Sequence, residues 1–345
     1  MVTKKIRMAV ICPSEIAYRR FMPALVQMDE IEYIGIGVNS VEERYGSSLP
    51  DKTVQDEMIQ RGKEKANKFV EEYGGIIFDS YHSVVTSDLV DAVYIPLPPS
   101  LHYKWAKIAL ECGKHVLVEK PSTLNGIDTK ELINIAKRNE LVIHENYMFV
   151  YHKQIDELEK IIKSGEIGDV RCYRVRFGFP RRDKNDFRYE KKLGGGALID
   201  AAGYTMKYAT RLLGESIHVS YARMNYIDEF EVDMFGSGVF SNDEGETVQI
   251  VYGMDNDYKC ELEVWGSKGT LTSGRVFTSP AGYIPSAVIS KNGLEKTVDL
   301  PTDDAFLRSI GMFISCIKDK NIREDHYIHI LKQAELVDEF RKKAQ

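Results

Sequence analysis

Short apolar runs alternate with amphipathic stretches through the first third of the chain. Residues 7–11, 33–38, 76–78, 92–95, 115–118 and 141–144 read as strands. Between them, helical periodicity runs from the turn after residue 11 through Gln27, then over residues 64–73, 101–112 and 127–139. Gly74-Gly75 and Gly113 stand where helices stop. Such β-α alternation predicts an α/β domain with a doubly wound parallel sheet and right-handed crossovers.

After about Tyr147 the pattern changes. A helical stretch at 151–164 leads into residues 170–179, which alternate as one long strand. A polar loop through Lys192 meets Gly194-Gly195-Gly196, and helical periodicity resumes over 197–213. From 219 to 300, short strand-like runs are separated by Gly, Asn and Asp, the pattern of an antiparallel sheet with hairpins. Helices at 306–319 and 327–343 close the chain. The expectation is two domains, residues 1–146 and residues 147–345, the second an α+β domain with a large, mostly antiparallel open sheet.

Composition narrows the class. At 345 residues the chain exceeds the ~250–300 at which single cores tend to split. A net charge of −6 without a long basic run argues against a nucleic-acid surface. No apolar stretch approaches the ~20 residues needed to span a bilayer, so no membrane partner is expected. Residues 1–8 lack the apolar core of a signal peptide. Five scattered cysteines with no C-x-x-C pair read as buried free thiols in a reducing compartment, which points to the cytoplasm. His326 and His329 are the one close histidine pair, with no third ligand near them in sequence, so no metal site is expected.

Candidate chemistry gathers at strand ends. His115-Val116-Leu117-Val118-Glu119-Lys120-Pro121 delivers a carboxylate and an amine to the carboxyl end of the fifth strand, where open parallel sheets bind ligands. Pro121 holds Lys120 extended. The first strand-helix turn reads Cys12-Pro13-Ser14-Glu15-Ile16-Ala17, with no glycine where G-x-G-x-x-G would stand. Alone it reads as a crossover that binds nothing; its helix N-terminus can also hold phosphate. The second strand ends in Val38-Asn39-Ser40 without the acid that holds the ribose of NAD, which tilts the choice toward NADP unless Asn39 and Ser40 only make a turn. Pro96-Leu97-Pro98-Pro99-Ser100-Leu101-His102 is a rigid loop in which Ser100 can cap the next helix. It is either structural or a wall for a flat cofactor ring. After the triple glycine, Asp200, Tyr204 and Tyr208 share one face at i, i+4 and i+8. Asp200 falls in the first turn, where the helix dipole favours it, and the tyrosines either serve chemistry or pack with hydroxyls outward. Arg174, Arg176, Arg181, Arg182 and Arg188 gather ahead of the glycines, as a phosphate or carboxylate site or as a solvated face.

In order, the loop at 96–102, Glu119-Lys120-Pro121, Asp186-Phe187-Arg188 and the segment from Gly194 to Tyr204 resemble the Gfo/Idh/MocA oxidoreductases over about residues 5–215. The resemblance implies a Rossmann domain binding NADP or NAD, then a domain whose open sheet makes a homodimer or homotetramer. It implies that Cys12, Pro13, Ser14, Glu15, Ile16, Asn39, Ser40, Pro96, Leu97, Pro98, His102, Glu119 and Lys120 line the cofactor, with Glu119 on the nicotinamide ribose. Lys120, Tyr204 and Asp200 become the catalytic set, and Lys120, Tyr147, Arg188, Asp200 and Tyr204 the substrate contacts. The chain departs from the pattern at Cys12, Ser14 and Ala17, which replace glycines, and at Tyr204, where many members carry His. Tyr204 is similar instead to members that reduce ketones on nucleotide-linked sugars. Tyr and Lys ionise near ~10 and ~10.4, and neighbouring positions would lower both. The expected activity is hydride transfer between nicotinamide and a sugar or nucleotide-sugar carbonyl or hydroxyl. Tyr204 moves the proton and Lys120 steadies the alkoxide. Internal recycling of the cofactor for elimination or epimerisation is a rival chemistry. A non-catalytic nucleotide sensor on the same fold is the alternative, prompted by the missing glycines.

Overall fold

The computed structural model describes residues 4–45 and 49–344. Residues 1–3 and 345, at the outer ends of the expected domains and of the segment read against a signal peptide, lie outside the described residues, as do residues 46–48. The chain forms two compact units. The first is Met1–Ser122 with Ile127–Asn146 and Ile310–Ile328; the second is Thr123–Gly126 with Tyr147–Ser309 and His329–Gln345.

The first unit holds a six-stranded parallel sheet of β1 (Ile6–Val10), β2 (Ile31–Gly37), β3 (Ile76–Phe78), β4 (Ala92–Ile95), β5 (His115–Val118) and β6 (Ile143–Glu145). Their order is β3-β2-β1-β4-β5-β6. Every residue of β4 is buried, as are Met8, Ala9 and Val10 of β1, because crossover helices cover both faces. The strand order reverses between β1 and β4, the switch point at which such sheets open a ligand crevice.

Four local expectations change here. The helix expected at 64–73 is Lys52–Tyr73, capped by Asp51 accepting from Val54 N–H at 3.1 Å. Only Ala66 and Phe69 are buried along it, so its first half carries little apolar signal. The helix expected at 101–112 starts at Pro99, which needs no hydrogen-bond donor at a first helical position. Ser100 is therefore inside the helix and does not cap it. The sixth strand starts at Ile143, not Leu141, because Leu141 N–H still closes the preceding helix on Ala136 O at 2.9 Å. The last helix is Lys320–Lys343, longer than expected.

The second unit holds eight strands: β7 (Val170–Gly178), β8 (His218–Tyr226), β9 (Asp233–Ser241), β10 (Thr247–Gly253), β11 (Lys259–Gly266), β12 (Thr270–Gly274), β13 (Ser286–Lys291) and β14 (Leu294–Asp299). Their order is β14-β13-β12-β11-β7-β10-β9-β8, antiparallel throughout except for the parallel pair of β10 and β7. Along β7, Tyr173, Val175 and Phe177 enter the core while Arg174 and Arg176 face the other way, as the period of two requires. The expected helix at 197–213 is a π-helical turn, Leu198–Ala202, followed by the α-helix Gly203–Leu213. Tyr204 and Tyr208 both pack against Phe149 and Phe277, and Tyr208 is fully buried instead of turning its hydroxyl outward. A Cβ at Gly203 would sit 2.0 Å from Tyr147 Oη, so only glycine fits there. All five cysteines are free thiols, but only Cys260 and Cys316 are buried; Cys112 is exposed, and Cys12 and Cys172 are half-buried. Burial was the wrong expectation for Cys112, and it holds only in part for Cys12 and Cys172.

Candidate active site

In the first unit, Ser14 organises the turn after β1. Its Oγ accepts from Ala17 N–H at 3.2 Å, and its carbonyl accepts from Tyr18 N–H at 3.1 Å. Burial pushes the Cys12 thiol up, against a hydrogen bond from Tyr81 and the charges of Lys65 and Arg44. Beyond β2, Ser40 Oγ accepts from Glu43 N–H at 3.2 Å, and Asn39 Nδ2 lies 4.0 Å from Met58 Sδ.

The loops after β4 and β5 are stapled together by His102. This fully buried imidazole places Nε2 2.7 Å from Leu97 O and Nδ1 2.7 Å from Pro121 O. Burial drives it down to about 4, with the two carbonyls opposing and Lys120 adding to the depression. At neutral pH the ring is uncharged, with one N–H for the two carbonyls.

Glu119 is the centre of this half. Its Oε1 accepts from Tyr94 Oη at 2.7 Å and from Asn146 Nδ2 at 2.6 Å. Among the described residues, Oε2 has only the long 3.4 Å contact from Lys120 N–H. Burial raises its proton affinity, and the Tyr94 and Asn146 donors and the Lys120 charge offset part of that rise. Tyr94 is held by stacking on Phe21, with ring centroids 3.6 Å apart. One saturated oxygen beside one weakly engaged oxygen suits a donor-rich group such as a ribose diol, so these residues fit a nicotinamide nucleotide. The peptide between Lys120 and Pro121 is cis.

In the second unit, the triple glycine folds the preceding loop back on itself. Gly195 N–H donates to Glu190 O at 3.0 Å and Gly196 N–H to Arg188 O at 2.9 Å. A Cβ at Gly195 would meet Arg188 O at 2.4 Å, and Gly196 has φ 117°, so both positions require glycine. The fold-back brings Arg188 Nε to Asp200 Oδ2 at 2.6 Å and Arg188 Nη1 to Asp186 Oδ1 at 3.0 Å. Burial works against the guanidinium charge, but Asp200 and Asp186 more than offset it and hold Arg188 above its ordinary value. Asp200 is thus kept by a cation rather than by the helix dipole alone. The N-terminal end of the π-turn is tied by Asp233, which accepts from Leu198 N–H at 2.7 Å and is pushed up to about 6 by burial.

Tyr204 stands among aromatic rings. Tyr147 meets it edge-on at 5.4 Å, and Phe177 and Phe149 lie 5.0 and 5.8 Å away. Lys207 covers Tyr147 at 5.7 Å. The structure therefore gathers Leu97, His102, Glu119 and Lys120 in the first unit, with Cys12 to Ile16 and Asn39-Ser40 at the neighbouring strand ends. In the second it pairs Arg188 with Asp200 and Tyr147 with Tyr204. The arginine cluster dissolves into separate ion pairs. Arg174 and Arg176 each pair with Glu263 at 3.0 Å, and Arg181 reaches Asp255 at 2.8 Å and Glu229 at 3.0 Å. Tyr94, Asn146 and Asp233 were not singled out by sequence, since each becomes meaningful only through a partner on another element. Among the described residues, no group of three or more His, Cys, Asp or Glu is placed to hold a metal ion, and no helix is long and apolar enough to cross a membrane.

Residues 31–147 match the family model described as an oxidoreductase family with an NAD-binding Rossmann fold, and residues 155–272 match the GFO/IDH/MocA C-terminal domain. The chain belongs to the Gfo/Idh/MocA family of oxidoreductases. Its relatives in this family include dTDP-3,4-didehydro-2,6-dideoxy-alpha-D-glucose 3-reductase of Streptomyces violaceoruber, 32% identical over 99% of this chain and 96% of that protein. A D-xylose 1-dehydrogenase (NADP(+)) of Haloferax volcanii is 27% identical over 82% of this chain and 86% of its own. Among solved structures, a 3-ketoreductase from Actinomadura kijaniata in complex with NADP and TDP-benzene superposes with a TM-score of 0.89 at 32% identity, covering 99% of this chain and 98% of that one. This Gfo/Idh/MocA member is accordingly an NAD(P)-dependent oxidoreductase.

Proposed function

We propose that this protein reduces a keto group on a nucleotide-linked sugar, or oxidises the corresponding hydroxyl, with NADP or NAD as partner. The observation that carries this reading is the chain-long match to a 3-ketoreductase bound to NADP and TDP-benzene. When bound, the nicotinamide supplies or accepts the hydride. Residues 1–146 serve as the dinucleotide-binding domain, with Glu119 Oε2 accepting from the nicotinamide ribose and the 96–98 loop backing the ring. Cys12 to Ile16 and Asn39-Ser40 hold the rest of the cofactor. Residues 147–345 serve substrate binding and assembly.

Lys120 and Tyr204 act in proton transfer. In the reductive direction Tyr204 donates its phenolic proton to the carbonyl oxygen, and the Lys120 ammonium stabilises the negative charge that develops there. Asp200, fixed by Arg188, orients the substrate hydroxyl or the phenol, and Tyr147 packs Tyr204 in place. The protein works in the cytoplasm as a homodimer or homotetramer. Tyr221, Phe235, Val251 and Trp265 stand exposed on the sheet face opposite the core and favour assembly there.

A nucleotide-sensing protein without chemistry is the second reading, favoured by the glycine-free turn at Cys12-Pro13-Ser14. Purified protein mixed with NADPH or NADH and a panel of dTDP-linked keto sugars separates the two. Loss of nicotinamide absorbance with at least one sugar is the expected result. Saturable nucleotide binding with no turnover on any sugar would establish the sensor.

A further inference from the structure

The backbone that carries Tyr204 is tied at a point the proposed reaction does not use. π-Helical turns are rare and frequently mark functional sites. The one at Leu198–Ala202 runs directly into Gly203 and Tyr204. Buried side chains from distant parts of the second unit hold both of its ends. Asp233 receives Leu198 N–H at the start. Just past the end, Gln333 Nε2 donates to Gly203 O at 2.9 Å.

Gln333 belongs to the closing helix, Lys320–Lys343, and is 1% exposed. Among the described residues its Oε1 has no hydrogen-bond partner, a cost that an apolar side chain of similar length would avoid. What the amide contributes is therefore its bond to Gly203. A second bond joins the same two helices: Lys207 Nζ donates to His329 O at 3.2 Å. Lys207 follows Gly203 by four residues and His329 precedes Gln333 by four, so the two bonds stand about one turn apart on each helix. Tyr147 Oη fills the place where a Cβ would stand at Gly203. The residue that leads into Tyr204 is thus held at its carbonyl and at its α-carbon.

We infer that Gln333 is a positioning residue for Tyr204 and acts through the Gly203 carbonyl. Apolar burial of the Tyr204 ring against Phe149, Phe177 and Phe277 is non-directional. The hydrogen bond from Gln333 is directional, and it fixes the peptide from which the phenol projects. The closing helix, which supplies none of the reacting groups, thereby sets where the proton donor stands. This inference rests on the role given to Tyr204 above.

Steady-state rates of the purified full-length chain with NADPH and a dTDP-linked keto sugar test it. Gln333→Leu removes the donor and should lower kcat about tenfold or more, with KM for the sugar and NADPH affinity within about twofold, since small misplacements of a reacting group are costly. In a Tyr204→Phe background the same change should cost nothing further, because a residue that acts through the phenol has nothing left to place. Gln333→Glu keeps the shape and donates only when protonated, and burial raises its carboxyl. Its kcat relative to the unaltered chain should therefore recover toward acid pH and fall toward alkaline pH. Thermal unfolding shows which variants fold, and the pH profile of Gln333→Glu carries the test if Gln333→Leu does not. Unchanged kcat in folded Gln333→Leu, a loss confined to KM, a loss that multiplies with that of Tyr204→Phe, or no recovery of Gln333→Glu toward acid pH overturns the inference and leaves Tyr204 in its role. Near-normal turnover in Tyr204→Phe, or no turnover by the unaltered chain, overturns that role and the inference with it.

Discussion

Glu119 and Asp200 are both carboxylates at candidate site positions, and the two units keep them by opposite means. Glu119 is satisfied by neutral donors, the Tyr94 hydroxyl and the Asn146 amide, both on one oxygen. Asp200 is satisfied by a guanidinium that also holds Asp186. The ion-paired group shares one guanidinium with Asp186, and its loop is locked by the glycine fold-back. The neutral-donor group has one weakly used oxygen, so it is poised toward a ligand, and burial raises its proton affinity. The first unit thus holds a receptive acid and the second a rigid one.

The comparison is broken most severely at the groups proposed to act beside each acid. Lys120→Ala and Tyr204→Phe should each cut turnover by roughly two or more orders of magnitude while nucleotide affinity, measured by titration, survives. Near-normal turnover in both variants would sink the proton-transfer roles. The next effect belongs to the rigid half. Arg188→Ala leaves Asp200 and Asp186 without their cation and should cost about 3 kcal/mol in urea unfolding.

A pH profile sharpens the contrast through Asp233, a buried carboxylate held by backbone donors. Its proton affinity rises from 3.8 in the unfolded chain to about 6 in the folded one. The folded state therefore holds the proton more tightly, and stability falls as pH rises from 3.8 to about 6, then levels off. The drop is about 2–3 kcal/mol, and Asp233→Asn, which keeps the acceptor for Leu198 N–H, should flatten it. An unchanged slope in denaturant titrations across that window would contradict the assignment. The smallest effect is expected from Tyr94→Phe, which removes one donor from Glu119 and should cost about 1–2 kcal/mol in stability. The same variant should raise the Glu119 proton affinity further, so nucleotide affinity should fall at mildly acid pH before it does in the unaltered protein.

The two sheets were legible because burial on both faces writes continuous apolar runs and burial on one face writes alternation, as β4 and β7 illustrate. The helix Lys52–Tyr73 was half hidden because only two of its residues are buried. Ser100 misled because a hydroxyl before a helix resembles a cap, whereas Pro99 already starts the helix. At the site, Glu119, Lys120, Arg188, Asp200 and Tyr204 were visible as residue types in ordered motifs. Their partners were less so. Tyr94 and Asn146 reach Glu119 only because the strand order sets β4 and β6 on either side of β5. The π-turn at Leu198–Ala202 has no sequence signature that periodicity would detect.

The central claim is hydride transfer between nicotinamide and a sugar, and isotope transfer tests it most directly. NADPH carrying deuterium at the reactive ring carbon is incubated with the protein and a dTDP-linked keto sugar, and the sugar is weighed by mass spectrometry. The account predicts one deuterium on the new carbinol carbon, lost when Lys120→Ala or Tyr204→Phe replaces the unaltered chain. Sugar recovered without deuterium, from protein that binds the nucleotide, would contradict it.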